Sequence, residues 1–398
     1  MPEPVAERPA RAPQPWHDYL AAAKQTRKAA GRWRTRRVMP DAALDFAGND
    51  YLGLAREPKV REAAAEGARR FGAGAAASHL VSGHLAVHEV LEQELAEWLG
   101  RERALVFSTG YMANLGVIQA LAGRDTAVFQ DRLNHASLID GAALAGARSR
   151  RFHHRDGEDL ERLLSRSEAI RDASHDAPRK LIISDGVFSM DGDVAKVSEL
   201  AAAAKRHSAL LMIDDAHGVG VLGETGVGCT AGMSAEDVPV LVGTFGKALG
   251  TGGAFVAGDA SLIEHITQFA RSYVYTTAQP PAVTAATLEA LNIVRGEPEL
   301  RARLDDNVAL FRREAARLNL PMAASTTPIQ PLTLGDEART LRWAATLDAC
   351  GIAVGAIRPP TVPKGQARLR ITLSARHTEA DIERLLDGLE RCRREDAP

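Results

Sequence analysis

Lys247 is the residue whose sequence context most directly suggests covalent chemistry. It stands within Thr-Phe-Gly-Lys-Ala-Leu-Gly (residues 244–250), just after the apolar run 238–242. A second apolar run, residues 209–213, ends in Asp-Asp-Ala-His-Gly (residues 214–218). Pyridoxal phosphate needs a primary amine for its aldehyde and a carboxylate that keeps its pyridine nitrogen protonated, so that the ring can accept electrons. The two segments supply both groups, and the pattern therefore predicts a pyridoxal phosphate site.

The two aspartates that follow the second apolar run should point in different directions. Asp214 directly follows the predicted strand end, in the crevice where open α/β sheets bind ligands, whereas Asp215 should point the other way. We therefore predict that Asp214 is the partner of the pyridine nitrogen. His217, three residues later, is a further candidate for contact with the cofactor. A pair of aspartates that only ends a strand and caps a turn is the structural alternative.

A candidate phosphate site lies between a predicted strand and a predicted helix, at Ser-Thr-Gly-Tyr (residues 108–111). Free backbone N–H groups and the helix dipole favour an anion at such a position. Thr244 could add a hydroxyl to the same phosphate, although small polar residues also cap helices that bind no ligand. His135 could stack on a flat heteroaromatic ring or bind substrate, but a histidine near a helix start often has only a structural role.

Arg370 is a candidate ligand for a substrate carboxylate. It lies on the predicted strand 367–374, whose alternation puts Leu369, Ile371 and Leu373 on one face. Arg370 therefore projects from the other, polar face. A guanidinium binds a carboxylate through two parallel hydrogen bonds, and an amino-acid substrate presents such a carboxylate. A solvated strand face is the alternative interpretation.

Other motifs suggest chemistry that the surrounding sequence disfavours. Gly-Val-Gly-Val-Leu-Gly (residues 218–223) matches the dinucleotide fingerprint of a nicotinamide oxidoreductase, but residues 224–228 lack the helical period that this fingerprint requires. Asp-Gly-Asp (residues 191–193) could bind a metal, yet two carboxylates around a glycine are typical of a turn. We predict no metal site. His153 and His154 have no supporting pattern and are predicted to be solvated.

Apolar runs of strand length alternate with segments of helical period, which predicts crossover units and a mostly parallel sheet in an α/β fold. The predicted buried strands are residues 104–107, 127–129, 181–184, 209–213, 238–242 and 254–256. After Pro298 the pattern changes to that of a smaller α+β domain, with strands 329–334 and 367–374. Thr378 and Asp381 resemble a capping box for the last helix.

The predicted domain organisation has three parts. Residues 1–45 form an N-terminal tail and arm, residues 46–295 a large cofactor-binding domain, and residues 296–398 a small C-terminal domain. The first fifteen residues are proline-rich, have no apolar core of a secretory signal and are predicted to be a disordered tail. Residues 24–37 carry seven positive charges and no acid, which is typical of a solvated helix face but also of a nucleic-acid arm or a mitochondrial presequence.

Composition excludes several classes of function. The net charge is only -2, so the whole molecule has no electrostatic bias toward nucleic acid or an anionic membrane. No apolar run is long enough to span a bilayer. The three cysteines, Cys229, Cys350 and Cys392, are widely separated and odd in number, so they define neither a disulfide framework nor a zinc site. A reducing cytoplasm is the predicted location.

The assembled residues resemble the α-oxoamine synthase family of fold-type I pyridoxal phosphate enzymes. The resemblance extends from about residue 16 to the end of the chain. The matching segments are residues 49–54, 79–83, 131–138, 186–193, 214–218, 244–250 and 356–363. The resemblance implies a mostly parallel seven-stranded sheet flanked by helices, a smaller C-terminal α+β domain, an N-terminal helical arm, and a homodimer whose sites are shared between subunits.

The resemblance also implies roles for individual residues in cofactor binding. Lys247 would bond covalently to the cofactor, Asp214 would pair with the pyridinium, and His135 would stack on the ring; these three are the predicted catalytic residues. Further cofactor contacts are implied at two places within a subunit and at one across the dimer interface. They are Gly110, Tyr111 and Thr244 at the phosphate, Ser189 and His217 near the ring oxygen, and Thr276 and Thr277 at the partner's phosphate.

The resemblance also implies substrate contacts. The matching residues are Arg34, Asn49, His135, Thr361 and Arg370, of which Arg370 would bind the amino-acid carboxylate. The segment before Asn49 is shorter than in the family, so Arg36 and Arg37 remain alternatives to Arg34. Tyr111 stands where phenylalanine is common, which preserves stacking surface and adds a hydroxyl.

The implied reaction is a decarboxylative condensation of L-alanine with a pimeloyl thioester. Lys247, once released from the cofactor, would act as the general base. Either coenzyme A or an acyl carrier protein could deliver the acyl group, and the basic segment 24–37 would suit an acidic carrier. The alternatives are a family member that uses glycine or serine with another acyl group, and a catalytically silent homologue that acts as a binding subunit. The intact set of Lys247, Asp214 and His135 argues against silence.

Overall fold

The computed structural model describes residues 13–36, 38–169 and 179–396. The predicted tail therefore lies mostly outside the described residues, as does Arg37. Helix α1 (Gln14–Ala29) begins within the last two residues of the segment that was expected to be tail, and that part of the prediction is wrong. All side chains of α1 are exposed, as expected for a solvated arm. Among the described residues, no helix combines the length and apolar character needed to cross a membrane.

Within the described residues, eleven strands form two sheets. In chain order the strands are β1 (Leu44–Phe46), β2 (Arg103–Phe107), β3 (Thr126–Asp131), β4 (Arg148–Phe152), β5 (Arg179–Asp185), β6 (Leu210–Asp214), β7 (Val240–Thr244), β8 (Ala254–Gly258), β9 (Ile329–Gly335), β10 (Ile352–Ile357) and β11 (Ala367–Thr372). Every strand predicted from the sequence is present. The sequence patterns missed β1, β4 and β10.

Twelve further α-helices of the described chain pack on these sheets. They are α2 (Pro58–Phe71), α3 (Ala86–Trp98), α4 (Gly110–Leu121), α5 (Ala136–Leu144), α6 (Gly157–Ala169), α7 (Val197–Arg206), α8 (Ala260–Phe269), α9 (Arg271–Val274), α10 (Pro281–Gly296), α11 (Glu299–Arg317), α12 (Glu337–Ala349) and α13 (Glu379–Glu395). The capping box of α13 is confirmed, because the Thr378 hydroxyl accepts from the Asp381 N–H and the Asp381 carboxylate accepts from the Thr378 N–H.

The large sheet has seven strands in the order β2-β8-β7-β6-β5-β3-β4. Only β8 runs against the others, so the predicted mostly parallel sheet is confirmed. Its central strands are apolar on both faces: Ile183 and Met212 pack into one core cluster, and Ile182 and Leu211 pack into another. Helices cover both faces, which explains why these strands are continuous apolar runs in the sequence.

The small sheet has the order β1-β10-β11-β9. Its first strand comes from the N-terminal part of the chain: β1 pairs in parallel with β10, with Leu44 opposite Ile352. The segment that leads into the large domain is therefore attached to the C-terminal sheet. The exact domain bounds given above remain a prediction.

Candidate active site

The predicted site residues meet at the carboxyl edge of the large sheet. Asp185 and Asp214 end the neighbouring parallel strands β5 and β6 and lie opposite one another in register. Lys247 lies in the turn after β7, the next strand along the sheet. Because parallel strands end at one edge, the local sequence signals bring an amine and two carboxylates together. We call Lys247, Asp185, Asp214, His135 and His217 the pocket.

The amine of Lys247 is poised to lose its charge near neutral pH. Burial lowers the pKa of Lys247 to about 8, and the carboxylates of Asp214 and Asp185 oppose this shift without cancelling it. An unprotonated primary amine is the form that attacks an aldehyde or removes a proton.

Asp214 is held firmly at the end of β6. Its Oδ2 accepts a hydrogen bond from Asn114 Nδ2 at 2.6 Å, and its Oδ1 accepts from the Ala216 N–H at 3.1 Å. Asn114 lies on α4 and also donates to Ser137 Oγ at 2.9 Å. Sequence reasoning missed Asn114, because its role depends on contact with a residue 100 positions away.

Asp215 points away from Asp214, as expected from strand geometry. Its Oδ2 accepts from the Cys229 N–H at 2.7 Å, and a side chain at Gly228 would collide with that carboxylate. Burial raises the pKa of Asp215 to about 7. Asp215 therefore stabilises the turn after β6 and contributes no hydrogen bond to the pocket.

His135 and Asp185 form the opposite wall of the pocket. The His135 backbone N–H donates to Asp185 Oδ2 at 2.6 Å, and His135 Nδ1 lies 2.7 Å from Ser137 Oγ. The imidazole is exposed, yet partial desolvation lowers its pKa, with Asp214 opposing and Lys247 adding to the shift. Burial, reinforced by Asp214, raises the pKa of Asp185 well above its usual range. Sequence reasoning missed Asp185, although it also ends a buried apolar run.

The predicted phosphate turn is close to Thr244. Gly110 begins α4, and a side chain built at Gly110 would lie 3.8 Å from the Thr244 Oγ1 atom. The Thr244 hydroxyl donates to the Gly253 carbonyl at 2.9 Å, so its contact with a phosphate stays a prediction. Tyr111 is exposed, its hydroxyl donates to Asp140, and its ring centroid lies 6.3 Å from that of His135.

Thr276 and Thr277 lie beside the same turn within a single chain. The Thr277 carbonyl accepts a hydrogen bond from Ser108 Oγ at 3.2 Å, and Thr277 forms an isolated bridge with Ser78. Their reach toward a partner subunit's phosphate stays a prediction.

Arg370 is buried, so the interpretation of a solvated strand face is wrong. All six residues of β11 are buried, because α12 packs on that strand and the loop of Ser189 contacts Arg370. Arg370 Nε donates to the Ser189 carbonyl at 2.6 Å and Nη2 donates to Asn49 Oδ1 at 3.0 Å. Arg370 thus contacts two other predicted site residues, Ser189 and Asn49.

His217 is linked to the same group by Tyr51. The Tyr51 hydroxyl lies 2.5 Å from His217 Nδ1 and 3.2 Å from Asn49 Oδ1. Burial, together with the positive charges of Lys247 and Arg370, lowers the pKa of His217 well below its usual range. His217 is therefore a neutral imidazole.

Two further predicted substrate residues also contact each other. Arg34 Nη2 donates to Thr361 Oγ1 at 2.9 Å, and Arg358 Nε donates to the Gly31 carbonyl at 3.1 Å. The basic segment after α1 therefore lies against the loop that contains Thr361. Arg36 is exposed. Substrate contact by Arg34, Arg36 or Thr361 stays a prediction.

His154 was predicted to be solvated, and the structure contradicts this. Its Nδ1 lies 3.1 Å from the Asp131 carboxylate and its Nε2 lies 2.9 Å from Asp193 Oδ2, which also accepts from Arg155 at 2.9 Å. The two carboxylates raise the pKa of His154 to about 9 despite burial. We call His154, Asp131, Asp193 and Arg155 the His154 clamp. It joins the loop after β3, which leads to His135, to the loop that carries Ser189.

The alternative motifs have structural roles. In the described residues between β6 and β7, no helix follows the glycine-rich segment 218–223, so a dinucleotide site of that type is excluded. Within residues 191–193, Asp191 accepts from Arg368 at 2.7 Å and Asp193 belongs to the His154 clamp. The Asp-Gly-Asp motif is a turn whose carboxylates pair with cations.

The side chains of the pocket fit pyridoxal phosphate. An amine of lowered pKa and a hydrogen-bonded carboxylate lie at adjacent strand ends, which are the two groups that the aldehyde and the pyridine nitrogen require. The N-terminus of α4 begins with glycine beside Thr244, which suits a phosphate. His135 offers an exposed imidazole ring for stacking.

Comparison with known proteins agrees with this arrangement. The profile of the aminotransferase class I and II family matches residues 42–389. The 8-amino-7-oxononanoate synthase of Chromohalobacter salexigens is 65% identical over 386 residues, which cover 96% of this chain and 98% of that protein. That of Methylococcus capsulatus is 54% identical and covers 93% and 96%.

Solved structures show the same fold. A structure of SPT with its PLP internal aldimine superposes with a TM-score of 0.88 at 30% identity, covering 97% of this chain and 99% of that one. The 8-amino-7-oxononanoate synthase of Francisella tularensis superposes with a TM-score of 0.74 at 30% identity, covering 90% and 99%. The chain therefore belongs to the aminotransferase class I and II family, together with these curated 8-amino-7-oxononanoate synthases.

Proposed function

We propose that this protein is a pyridoxal phosphate-dependent acyltransferase of biotin biosynthesis. It condenses L-alanine with a pimeloyl thioester and releases carbon dioxide, the free thiol and 8-amino-7-oxononanoate. The observation that carries this proposal is 65% identity to a curated 8-amino-7-oxononanoate synthase over nearly the whole of both chains. The meeting of Lys247 and Asp214 at adjacent strand ends supports it.

When bound, pyridoxal phosphate supplies an electron sink for the electrons left on the substrate when a bond to its α-carbon breaks. Lys247 holds the cofactor covalently, and Asp214 holds a proton on its ring nitrogen. The proposed contacts at the rest of the cofactor are Ser189 and His217 near the ring oxygen, and Gly110, Tyr111 and Thr244 at the phosphate. His135 stacks on the ring.

Lys247 also moves the proton that the reaction requires. With a pKa of about 8, its Nζ atom is uncharged in a useful fraction of molecules near neutral pH. It can accept the proton that leaves the α-carbon of alanine and return a proton after carbon dioxide is lost. General base catalysis of this kind contributes about 10² to 10⁴ in rate.

Arg370 binds and orients the alanine carboxylate. Its guanidinium is fixed by the Ser189 carbonyl, by Thr372 Oγ1 at 3.0 Å and by Asn49 Oδ1. A guanidinium has five N–H donors, so it can keep these three contacts and still donate to a carboxylate. Because the arginine is anchored on a buried strand, the carboxylate is held in one orientation, which aligns the bond that Lys247 must break.

The basic arm is proposed to receive an acidic acyl carrier. The side chains of Lys24, Arg27 and Lys28 are exposed on α1, and Arg34 connects this region to Thr361. An acidic carrier protein would be attracted to this surface, and its thioester would be delivered toward the residues predicted to contact substrate. Coenzyme A is the alternative donor.

The proposed assembly is a cytoplasmic homodimer. Thr276 and Thr277 would complete the partner's phosphate site. The three free cysteines suit a reducing compartment. Light scattering should show a dimer, and a fully active monomer would contradict this part of the proposal. Cell fractionation tests the location.

The function is tested by assaying purified holoprotein with L-alanine, glycine and L-serine against pimeloyl, acetyl, succinyl and palmitoyl thioesters. Release of thiol and of carbon dioxide is measured, with Lys247→Ala as the inactive control. L-alanine with a pimeloyl thioester should give the highest kcat/KM. A higher value for glycine with acetyl thioester, or for serine with palmitoyl thioester, would replace the proposal with another member of the reaction class.

The donor is identified by running the same assay with pimeloyl-coenzyme A and with pimeloyl-acyl carrier protein. Charge reversal at Lys24, Arg27 and Lys28 should raise KM for the carrier protein and leave KM for the coenzyme A ester unchanged. An equal effect on both donors, or none on either, would exclude docking of a carrier on this arm.

A further inference from the structure

Tyr51 is a fully buried residue beside the proposed cofactor site. Its hydroxyl lies between His217 Nδ1, at 2.5 Å, and Asn49 Oδ1, at 3.2 Å. Its backbone is also fixed, because the Tyr51 carbonyl accepts from the Ala375 N–H at 2.7 Å. The side chain of Tyr51 is therefore held by His217 and Asn49, and its backbone is held by the segment that contains Ala375.

The segment after Tyr51 packs directly on the turn that carries Lys247. Gly250 has a φ of +66°, and a Cβ atom there would lie only 2.2 Å from the Ala55 nitrogen. Only glycine permits this conformation and this close approach. Tyr51, Ala55 and the Lys247 turn thus form one packed unit.

His217 can present only one N–H group. Burial and the neighbouring charges of Lys247 and Arg370 keep it neutral, and a neutral imidazole has one donor nitrogen and one acceptor nitrogen. Nδ1 is in contact with Tyr51, so the direction of that hydrogen bond decides whether Nε2 is a donor or an acceptor.

The surrounding contacts indicate the direction. Asn49 Oδ1 already accepts from Arg370 Nη2, so the Tyr51 proton can point either to Asn49 Oδ1 or to His217 Nδ1. The distance of 3.2 Å to Asn49 exceeds the usual range of about 2.5 to 3.0 Å for O–H···O hydrogen bonds, whereas the contact with His217 is short. The Tyr51 hydroxyl proton is therefore placed in the hydrogen bond to His217 Nδ1. The proton of the neutral imidazole is then on Nε2.

We propose that Tyr51 is a positioning residue whose hydroxyl donates to His217 Nδ1 and fixes the Nε2–H tautomer. His217 then offers an N–H donor to an anionic ring oxygen of the cofactor. The identity of that cofactor rests on the proposed function, whereas the tautomer is a property of the protein alone.

The direct test is the ¹⁵N NMR spectrum of the cofactor-free protein labelled at histidine. The His217 signals are assigned by their loss in His217→Gln. In the wild-type protein, Nε2 should have the shift of a protonated nitrogen and Nδ1 that of an unprotonated one. A proton on Nδ1 would overturn the proposal without any further variant.

Tyr51→Phe removes the hydroxyl and should replace the single tautomer with averaged signals of both. Tyr273→Phe is the matched control, because Tyr273 is another buried tyrosine, stacked on His79, whose loss of a hydroxyl should leave the His217 signals unchanged. An unchanged His217 spectrum in folded Tyr51→Phe would also overturn the proposal. Circular dichroism verifies the fold of each variant.

A second readout uses the holoprotein without turnover. If the ring oxygen loses a fixed donor, its deprotonated form is less stable, so the pH midpoint of the visible absorption of the bound cofactor should rise by about one unit in Tyr51→Phe. The control should keep the wild-type midpoint, and a midpoint unchanged in Tyr51→Phe would contradict the role toward the cofactor. If the tautomer is as expected but no condensation occurs, the proposed function fails and the assignment of Tyr51 stands.

Discussion

The pocket and the His154 clamp contain similar residues but hold them in opposite charge states. His217 has a pKa well below its usual value, whereas His154 has a pKa of about 9. Both are at least partly buried, and burial by itself lowers the pKa of each imidazole. The difference is in the immediate partners: both nitrogens of His154 contact carboxylates, while His217 contacts a neutral tyrosine and faces Lys247 and Arg370.

This comparison shows how one set of residue types can serve chemistry in one place and structure in another. Burial that is not offset by a closely paired carboxylate keeps the His217 imidazole neutral and lowers the pKa of the Lys247 amine to about 8, so both groups can take part in proton transfer near neutral pH. Burial with two carboxylates keeps an imidazole charged, so it acts as a fixed cation. The pocket is thus built for proton transfer, and the clamp holds the loops of His135 and Ser189 together.

The largest effect on catalysis is expected from substitution of Asp214, and its neighbour Asp215 is the control. Asp214→Asn removes the charge proposed to hold a proton on the pyridine nitrogen, so kcat should fall by about 10² to 10³, as for loss of other preorganised electrostatic contacts. Asp215→Asn, the matched control, should keep kcat within the same order because Asp215 points away from the pocket. Equal losses in steady-state assays would contradict the assignment of Asp214.

The second largest effect is expected at Arg370. In Arg370→Lys the planar fork is lost, so kcat/KM for L-alanine should fall by roughly tenfold to a hundredfold, corresponding to hydrogen bonds to a charged group. Arg368→Lys provides the control, because Arg368 lies on the same strand but pairs with Asp191. Arg368→Lys should weaken folding more than it weakens use of alanine. If both variants had similar kinetics, Arg370 would have only a structural role, as Arg368 does.

The raised pKa of His154 in the clamp predicts that the free energy of unfolding depends on pH, without a matching effect on catalysis. The pKa of His154 rises on folding from 6.5 to about 9, so its contribution is complete below pH 6.5 and is lost as the pH rises through 9. The free energy of unfolding of the wild-type protein should exceed that of His154→Gln by about 2 to 3 kcal/mol at pH 6, and this difference should vanish near pH 9.5.

Chemical denaturation of the cofactor-free protein at several pH values measures this effect. His153→Gln is the control, since His153 is exposed and pairs only with Asp159. It should lower stability by much less than His154→Gln does. A difference between the wild-type protein and His154→Gln that stays constant with pH would contradict a charged clamp.

The smallest effect is expected at Tyr111. Its ring is exposed and its hydroxyl contacts Asp140 at the surface, so Tyr111→Phe should change stability by no more than about 0.5 kcal/mol and leave kcat nearly unchanged. Tyr111→Ala, which also removes the ring, should weaken cofactor binding measured by equilibrium dialysis. A large effect of Tyr111→Phe would indicate a role for the hydroxyl that the contact with Asp140 does not explain.

The sequence was sufficient to predict strand ends and helix caps where the signal comes from neighbouring residues. The strand that ends in Asp214 and the strand that precedes the Lys247 turn are apolar runs buried on both faces, so their ends could be located and the polar residues there placed at one edge of the sheet. Asp185 ends a run of the same kind and could have been included. The capping box at Thr378 was also predictable, because its two residues are three positions apart.

The sequence was insufficient where a residue depends on distant partners. β4 (Arg148–Phe152) contains three arginines and lies at the edge of the sheet, paired only with β3, so it lacks an apolar pattern. β1 has three residues and pairs with a strand more than 300 positions later. His154 seemed solvated because its carboxylate partners lie 23 and 39 positions away, and the contact of Tyr51 with His217 spans 166 positions.

Reductive trapping tests the central claim most directly. The holoprotein is treated with borohydride, digested and analysed by mass spectrometry for the peptide that carries the cofactor. The account predicts modification of Lys247, with no trapped cofactor in Lys247→Ala. Modification of a different lysine, or a wild-type protein from which no cofactor can be trapped, would contradict it.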